Sequence, residues 1–337
     1  MYEPTLALAG KLLSPIISLL LTTDDHLLNM SASTEAAADE IILCASCGKS
    51  ECDDGIKLKK CIACYLVRYC SVKCQKDHRP QHKKECKKRA AELREEILFK
   101  QPESTDLGDC PICMLPIPPF GLEGDAKFST YTCCSTFLCR GCVHANNLRV
   151  VEERLPQTCP FCRHPFPIAD ALVLLMKRAE ANDPFALYEV GSERFGRGEY
   201  ATAIEYFEKA AGLGDIASHY QLSCIYREGL GVEKDLKKFM YYAEKAAIGG
   251  HPVARFNLGS WEMMEGSIAK SVKHLIIAAN LGLDEAIDAL RKCYGNELVG
   301  KEDFSAALRG YQVAVNEMKS PQRDAAEMAR ALGTWLG

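Results

Sequence analysis

The chain has 337 residues, more than a single core of ordinary domain size uses, so two to four domains are expected. Its 41 Lys plus Arg against 45 Asp plus Glu exclude a global field that would draw in nucleic acid or an anionic membrane; any basic surface has to be local. Of 18 cysteines, only Cys224 and Cys293 fall outside the window from Cys44 to Cys162, and CxxC pairs with a His in register point to metal thiolates rather than the disulfides of a secreted scaffold.

Residues 1–40 read as a leader. The apolar stretch from Thr5 to Thr22 is broken by Lys11 and Pro15; its uninterrupted part is far short of the ~20 residues a spanning helix needs. A signal peptide would want a basic start where Glu3 stands. A cytoplasmic or nuclear location is therefore expected, with Met30 an alternative start ahead of a disordered MSASTEAAADE.

Between residues 44 and 86 the ligand-type residues are Cys44-x2-Cys47, Cys61-x2-Cys64, Cys70-x3-Cys74 and His82-x3-Cys86. Zinc takes four soft or borderline donors tetrahedrally, and closely spaced pairs let one turn supply two of them, so eight donors make two ions. A segment this short buries too little apolar area to fold alone, whereas a structural zinc contributes roughly 10 to 16 kcal/mol of apparent binding energy. CIACYLVRYCSVKCQKDHRPQHKKEC, with its Tyr-Cys-Ser core and HKxxC ending, resembles the MYND finger. That resemblance implies a cross-braced arrangement, with Cys44, Cys47, Cys70 and Cys74 on one zinc and Cys61, Cys64, His82 and Cys86 on the other. Cys52 is a ninth donor that no ion needs and reads as a free surface thiol. Arg79 stands where the family often has Trp, which weakens the family's proline-rich-peptide groove as an expectation. The basic run of Lys73, Lys76, Arg79, Lys83, Lys84, Lys87, Lys88 and Arg89 contains Asp77 and Glu85 and no interleaved aromatics, so it reads as a solvated helix face and not a nucleic-acid platform.

Residues 87–109 are a connector, helical over Lys87 to Lys100 and closed by Pro102 and a polar run. A second cysteine module follows over 110–167: Cys110-x2-Cys113, adjacent Cys133 and Cys134, Cys139-x2-Cys142 and Cys159-x2-Cys162. CPICMLP, FLCRGC and CPFCRHPF resemble a RING finger. The resemblance implies two more zinc ions, four in all, and no catalytic nucleophile. A RING orients a ubiquitin-charged E2 enzyme so that its thioester reacts. By the same resemblance Ile112 and Pro160 form the E2-contacting surface, and Arg163 is the cation that bridges E2 and ubiquitin. The family's usual central His is replaced by Thr136. Three solutions stay open: Cys133 and Cys134 both bind with Cys159 and Cys162, or His144 or His164 replaces one of them. Adjacent side chains on an extended strand point opposite ways, so the all-cysteine set requires a kink; it is favoured because it leaves no thiol to oxidation.

From 170 to 317, AAGLGD (210–215), AAIGGH (246–251) and AANLGL (278–283) recur at intervals of helix-pair size. In the clearest unit, 215–250, Ala217, Tyr220, Leu222 and Ile225 face inward from the first helix and Leu236, Phe239, Ala243 and Ala246 from the second, with Gly229 and Gly231 turning the chain between them. This unit resembles the Sel1-like repeat, which implies a curved scaffold that binds peptides or proteins. Cys224 and Cys293 read as packing residues. Residues 318–337 follow a Ser320-Pro321 break and are expected to cap the stack, the alternative being a separate binding motif in which an exposed Trp335 anchors a partner. The expected fold is thus multi-domain: two small cross-braced zinc modules, then an all-α Sel1/tetratricopeptide-like solenoid. The leading functional expectation is a RING-type ubiquitin ligase recruiting substrate through the MYND-like finger or the repeats, the alternative a non-catalytic zinc-finger scaffold; proteins are the expected partners, not nucleic acid or membrane.

Overall fold

The computed structural model describes residues 43–50, 57–122, 126–165 and 171–335. The leader, the start at Met30 and the Cys52 thiol lie outside them. The described chain forms two units, one ending at Lys100 and the other beginning at Gln101. No helix among the described residues is long and apolar enough to cross a membrane.

In the first unit, β1 (Lys59–Lys60) pairs antiparallel with β2 (Arg68–Tyr69), Lys59 opposite Tyr69. The chain then enters α1 (Val72–Leu98), whose N-cap Ser71 accepts the Cys74 amide at 3.2 Å. The helix expected over 87–100 is the continuation of α1 and not a separate element. Only His82 and Leu98 of α1 are buried, so its length rests on helix-forming residues and on Arg89 reaching Glu92 at 3.2 Å and Glu96 at 2.7 Å. The core here is Cys44, Leu58, Cys61, Cys64 and Tyr69, mostly thiols.

The second unit opens with a hairpin of β3 (Phe128–Tyr131) and β4 (Thr136–Cys139), with Phe128 opposite Cys139 and Tyr131 opposite Thr136. It runs directly into α2 (Arg140–Glu152). Ile117, Leu138 and Val143 join Cys110, Cys139 and Cys142 in the core of this module. After α3 (Ala171–Glu180) come four helix pairs: α4 (Pro184–Gly196) with α5 (Tyr200–Gly212), α6 (Ile216–Glu228) with α7 (Leu236–Ile248), α8 (Pro252–Met264) with α9 (Ile268–Asn280), and α10 (Asp284–Gly295) with α11 (Lys301–Glu317).

The repeated phrase has a local cause. Each pair is entered through a left-handed residue, Asn182, Gly214, Gly250 or Gly282, and in the first three pairs the next side chain caps the helix. Asp183 accepts the Ala186 amide, Asp215 the Ser218 amide and His251 Nδ1 the Ala254 amide. Ala210, Ala246 and Ala278 are fully buried, which is what lets successive helices close on one another.

Within 215–250, Tyr220, Leu222, Ile225, Phe239, Ala243 and Ala246 are buried as expected. Two assignments are corrected. Ala217 is only half-buried, and Ser218 beside it is the innermost residue of that turn. Leu236 is exposed, because it is the first residue after the Asp235 cap and the inward stripe of α7 begins a turn later. Cys293 is buried and Cys224 half-buried, and desolvation raises both thiols, in keeping with packing.

The end of the chain differs more. α12 (Pro321–Ala331) does not cap the solenoid; it packs on α2 of the second cysteine module. Trp335 is not a free anchor either, since its ring stacks on that of His144 with centroids 5.1 Å apart. Arg323 of α12 reaches the module, donating to the Leu115 and Pro116 carbonyls, and that remote contact, not an end-cap contact, places the segment after the Ser320-Pro321 break.

Gly231 is the residue of the α6–α7 turn with least tolerance. It has φ +70, and a Cβ there would lie 2.3 Å from the Cβ of Tyr200. Gly231→Ala is expected to destabilise the second unit by about 2 kcal/mol or more from the left-handed strain and overlap combined, read as an earlier midpoint in urea unfolding; an unchanged midpoint would show that the turn relaxes freely.

Candidate metal centres

Four CxxC segments share one backbone solution. In each, the residue after the second cysteine adopts positive φ and donates its amide to the carbonyl of the first: Gly48 to Cys44 at 2.8 Å, Tyr65 to Cys61 at 2.9 Å, Met114 to Cys110 at 2.8 Å and Arg163 to Cys159 at 2.9 Å. Three of the four are not glycine, so each accepts left-handed strain. The return amides, such as Cys110 to Leu115 and Cys159 to His164, close the knuckle and turn two thiols to one side.

The remaining donors come from helix starts, a helix face and one tight turn. Cys70 and Cys74 flank the Ser71 cap, and His82 and Cys86 share a face of α1 at i, i+4. Cys139 and Cys142 lie at the entry to α2. Cys133 and Cys134 lie in the β3–β4 turn, where Ser135 has φ 51. The chain is therefore kinked at the point where adjacent thiols would otherwise diverge.

These elements bring sixteen donors into four sets: Cys44, Cys47, Cys70, Cys74; Cys61, Cys64, His82, Cys86; Cys110, Cys113, Cys139, Cys142; and Cys133, Cys134, Cys159, Cys162. Within each set every donor atom lies within 4.8 Å of the others. A tetrahedron with ~2.3 Å metal–sulfur bonds has edges of about 3.8 Å. The sulfur–sulfur distances are 3.5 Å for Cys47–Cys70, 3.8 Å for Cys61–Cys86, 3.7 Å for Cys113–Cys139, 3.8 Å for Cys134–Cys159 and 3.4 Å for Cys133–Cys162. His82 Nε2 is 3.2 Å from Cys64 Sγ. The donor sets fit zinc in type, number and spacing, and in both modules the first and third ligand pairs share one set while the second and fourth share the other.

His144 and His164 are not brought to these sets. His144 is buried on α2 against Trp335, and His164 is exposed. Thr136 is in β4, its hydroxyl donating to the Cys134 carbonyl at 3.1 Å. Ile112 and Arg163 are exposed and Pro160 is half-buried; Pro160 and Arg163 line one groove with Asn146, Arg149 and Thr158. His78 was missed in the sequence. Its ring stacks on His82 at 5.7 Å and its Nδ1 is 3.1 Å from the Tyr69 hydroxyl, so it steadies the imidazole of the set; its position four residues before His82 on one helix face was the available signal.

The electrostatics prepare thiolates. Burial opposes ionisation of Cys44, but the amides of Cys70, Cys47 and Ser46 outweigh it and bring the thiol down to about 6. Burial likewise opposes ionisation of Cys61, and His82 with the local amides overcomes it, again to about 6. At Cys110 the Cys139 thiol and nearby amides prevail over burial, to about 4. Cys70 moves the other way: hydrogen bonding with Cys74 and Cys47 pushes it up to about 12. Within one set some thiols are lowered and others raised, Cys44 and Cys74 falling while Cys70 rises, a conflict that a divalent cation bound by all four donors removes.

Family models match two parts of the chain. Residues 44–86 match the family model of the MYND finger, and residues 184–215, 216–251 and 252–283 match that of the Sel1 repeat. Among solved structures, the crystal structure of a Sel1 repeat protein from Oxalobacter formigenes is similar at 24% identity, covering 54% of this chain and 81% of that one, with a TM-score of 0.40. No curated protein matches the chain. The chain thus carries a zinc-binding MYND finger and a solenoid of Sel1 repeats, both modules of protein–protein interaction.

Chelation is expected to expose the thiols of all four sets to alkylation while Cys293 in α10 stays protected, as read by peptide mapping. Acid acts in the same direction. Thiols depressed to about 6 at Cys44 and Cys61 and about 4 at Cys110 are ionised above those values and protonated below them, so metal-linked stability is present at neutral pH and is lost as pH falls through that window. Protection unchanged from pH 7 to pH 4 would contradict the thiolate assignment.

Proposed function

We propose that this protein is a RING-type E3 ubiquitin ligase holding four zinc ions, one on each donor set, in which the second module engages a charged E2 enzyme and the MYND finger or the Sel1 repeats recruit the substrate. The observation that carries the reading is the interleaving of Cys110, Cys113, Cys139 and Cys142 with Cys133, Cys134, Cys159 and Cys162 around a hairpin and one helix. In such an arrangement the first and last knuckles are the natural docking loops, with Ile112 and Arg163 open to solvent. The module offers no nucleophile of its own. Its contribution is to fix the E2 thioester in a reactive pose, for which orientation can supply roughly 7 to 11 kcal/mol of barrier lowering in well-aligned cases.

The second reading is a non-catalytic scaffold, favoured by the polar lining of Asn146, Arg149 and Thr158 beside Pro160, which suits a hydrogen-bonding ligand better than an apolar loop. In either case the metal assignment is read by native mass spectrometry: four zinc ions are expected for the wild type and three for Cys134→Ser, with His164→Gln unchanged. A Cys134→Ser chain that keeps four would return His144 or His164 as a ligand.

The choice between ligase and scaffold is read from discharge of ubiquitin-charged E2 enzymes by the zinc-loaded chain. Acceleration is expected, reduced at least about tenfold in Ile112→Ala and Arg163→Ala, a loss of about 1.4 kcal/mol each. No acceleration across a panel of E2 enzymes, with all four ions in place, would leave the scaffold.

A further inference from the structure

We propose that α12 belongs to the metal centre of the second module and that Arg323 is its positioning residue, holding the knuckle that carries Cys113. This rests on the zinc assignment of the Cys110, Cys113, Cys139, Cys142 set made above.

Arg323 is buried, 8% exposed, although it lies more than two hundred residues from the knuckle it grips. Its Nη2 donates to Cys113 Sγ at 3.5 Å and to the Leu115 carbonyl at 3.1 Å; its Nη1 donates to the carbonyls of Pro116 at 2.7 Å and Met318 at 2.6 Å. Burying a guanidinium is costly unless its charge and donors are met. Here the two Nη atoms meet carbonyls and the charge meets sulfur, while Nε is buried without a partner among the described residues. Four thiolates around one Zn2+ leave a net charge of about minus two by simple count, and Arg323 is the cation placed against it. The planar fork is what allows one side chain to bridge a thiolate and two knuckle carbonyls at once; an ammonium has no such geometry.

The surroundings are built for this approach. Gly141 lies opposite on α2, where a Cβ would stand 2.7 Å from the Arg323 backbone nitrogen. Arg140 pairs with Glu327 at 2.8 Å, and Trp335 closes the far end by stacking on His144. The second donor set of the module is supported from elsewhere: Arg178 of α3 donates to the Thr132 carbonyl at 2.7 Å and to the Ser135 hydroxyl, bracketing the turn of Cys133 and Cys134. The two sets therefore depend on different arginines.

That separation supplies the test. The full-length, zinc-loaded chain is exposed to a competing chelator and a thiol alkylating agent, and modification of each cysteine is followed by peptide mass spectrometry. In Arg323→Met, Cys110, Cys113, Cys139 and Cys142 are expected to be modified about 10- to 100-fold faster than in the wild type, the usual effect of removing an outer-shell partner, with Cys133, Cys134, Cys159 and Cys162 at the wild-type rate. Glu327→Ala cuts the Arg140 pair without touching the knuckle and is expected to leave all eight rates unchanged. Uniform acceleration of all eight in Arg323→Met would mean collapse of the module and would overturn the proposal, as would unchanged rates or an equal acceleration in Glu327→Ala. Native mass spectrometry of the wild type separates the two levels of the argument: zinc present on the set with no selective effect of Arg323→Met sinks this inference alone, whereas a wild type lacking that zinc sinks the assignment with it.

Discussion

Donor atoms gathered within 4.8 Å of one another in sets of four, with thiol pairs as close as 3.4 Å, are the constraint on which both cysteine-rich modules depend. At that spacing like-charged thiolates repel strongly and neutral thiols attract weakly, so the arrangement is favourable only around a cation. Little else could hold the first module: apart from Leu58 and Tyr69, its buried core is made of the cysteines themselves. The second module adds Ile117, Leu138 and Val143, still far from the core of an ordinary domain. Metal binding and folding are one event in such modules. This also explains why non-glycine residues tolerate left-handed φ at Tyr65, Met114 and Arg163. The strain at each knuckle, roughly 1 to 2 kcal/mol, is small beside the roughly 10 kcal/mol or more that a structural zinc returns.

Much of this was legible in the chain because ligand spacing is local. A CxxC fixes two donors with a single turn, and His82 and Cys86 lie one helical turn apart, so spacing alone carries the geometry. The repeats were legible for the same reason: a left-handed residue, a capping side chain and an alanine pair recur within a few residues of one another. Where the reading failed, the deciding interaction was either finer than the period or remote. Leu236 obeys helical spacing and is still exposed, because a cap one residue earlier sets where the inward stripe begins. Cys133 and Cys134 were ambiguous because alternation along a strand argues against both binding; the turn at Ser135 removes the strand at that point. The docking of α12 could not be read at all, since Arg323 and its acceptors at Leu115 and Pro116 share no local pattern.

The same remote contacts bear on how the second unit works as an interaction device. Its cysteine module is attached to the helical array at widely separated places along the sequence. The Asp106 amide donates to the Gly250 carbonyl, the Leu122 amide donates to Glu285, Ser135 contacts Asp183, and Phe137 packs edge-on against Phe185. Gly250 accepts this approach because a Cβ there would fall 2.5 Å from the Ser104 carbonyl oxygen. Two of these contacts fall at the turns that precede α4 and α8 and the other two in the first turns of α10 and α4, so the entries to the repeat helices serve as a row of attachment points along one edge.

Attachment at several repeats constrains orientation in a way that a single linker does not. A flexible linker sets an effective concentration and leaves the angle between two bound partners free. Contacts at α4, α8 and α10, with α12 packed on α2, leave the cysteine module little freedom to rotate against the array. The same contacts give the array a role independent of any ligand on its free surface: the entries to its helices hold the cysteine module in place, while Arg178 of α3 and Arg323 of α12 reach the residues around the thiols.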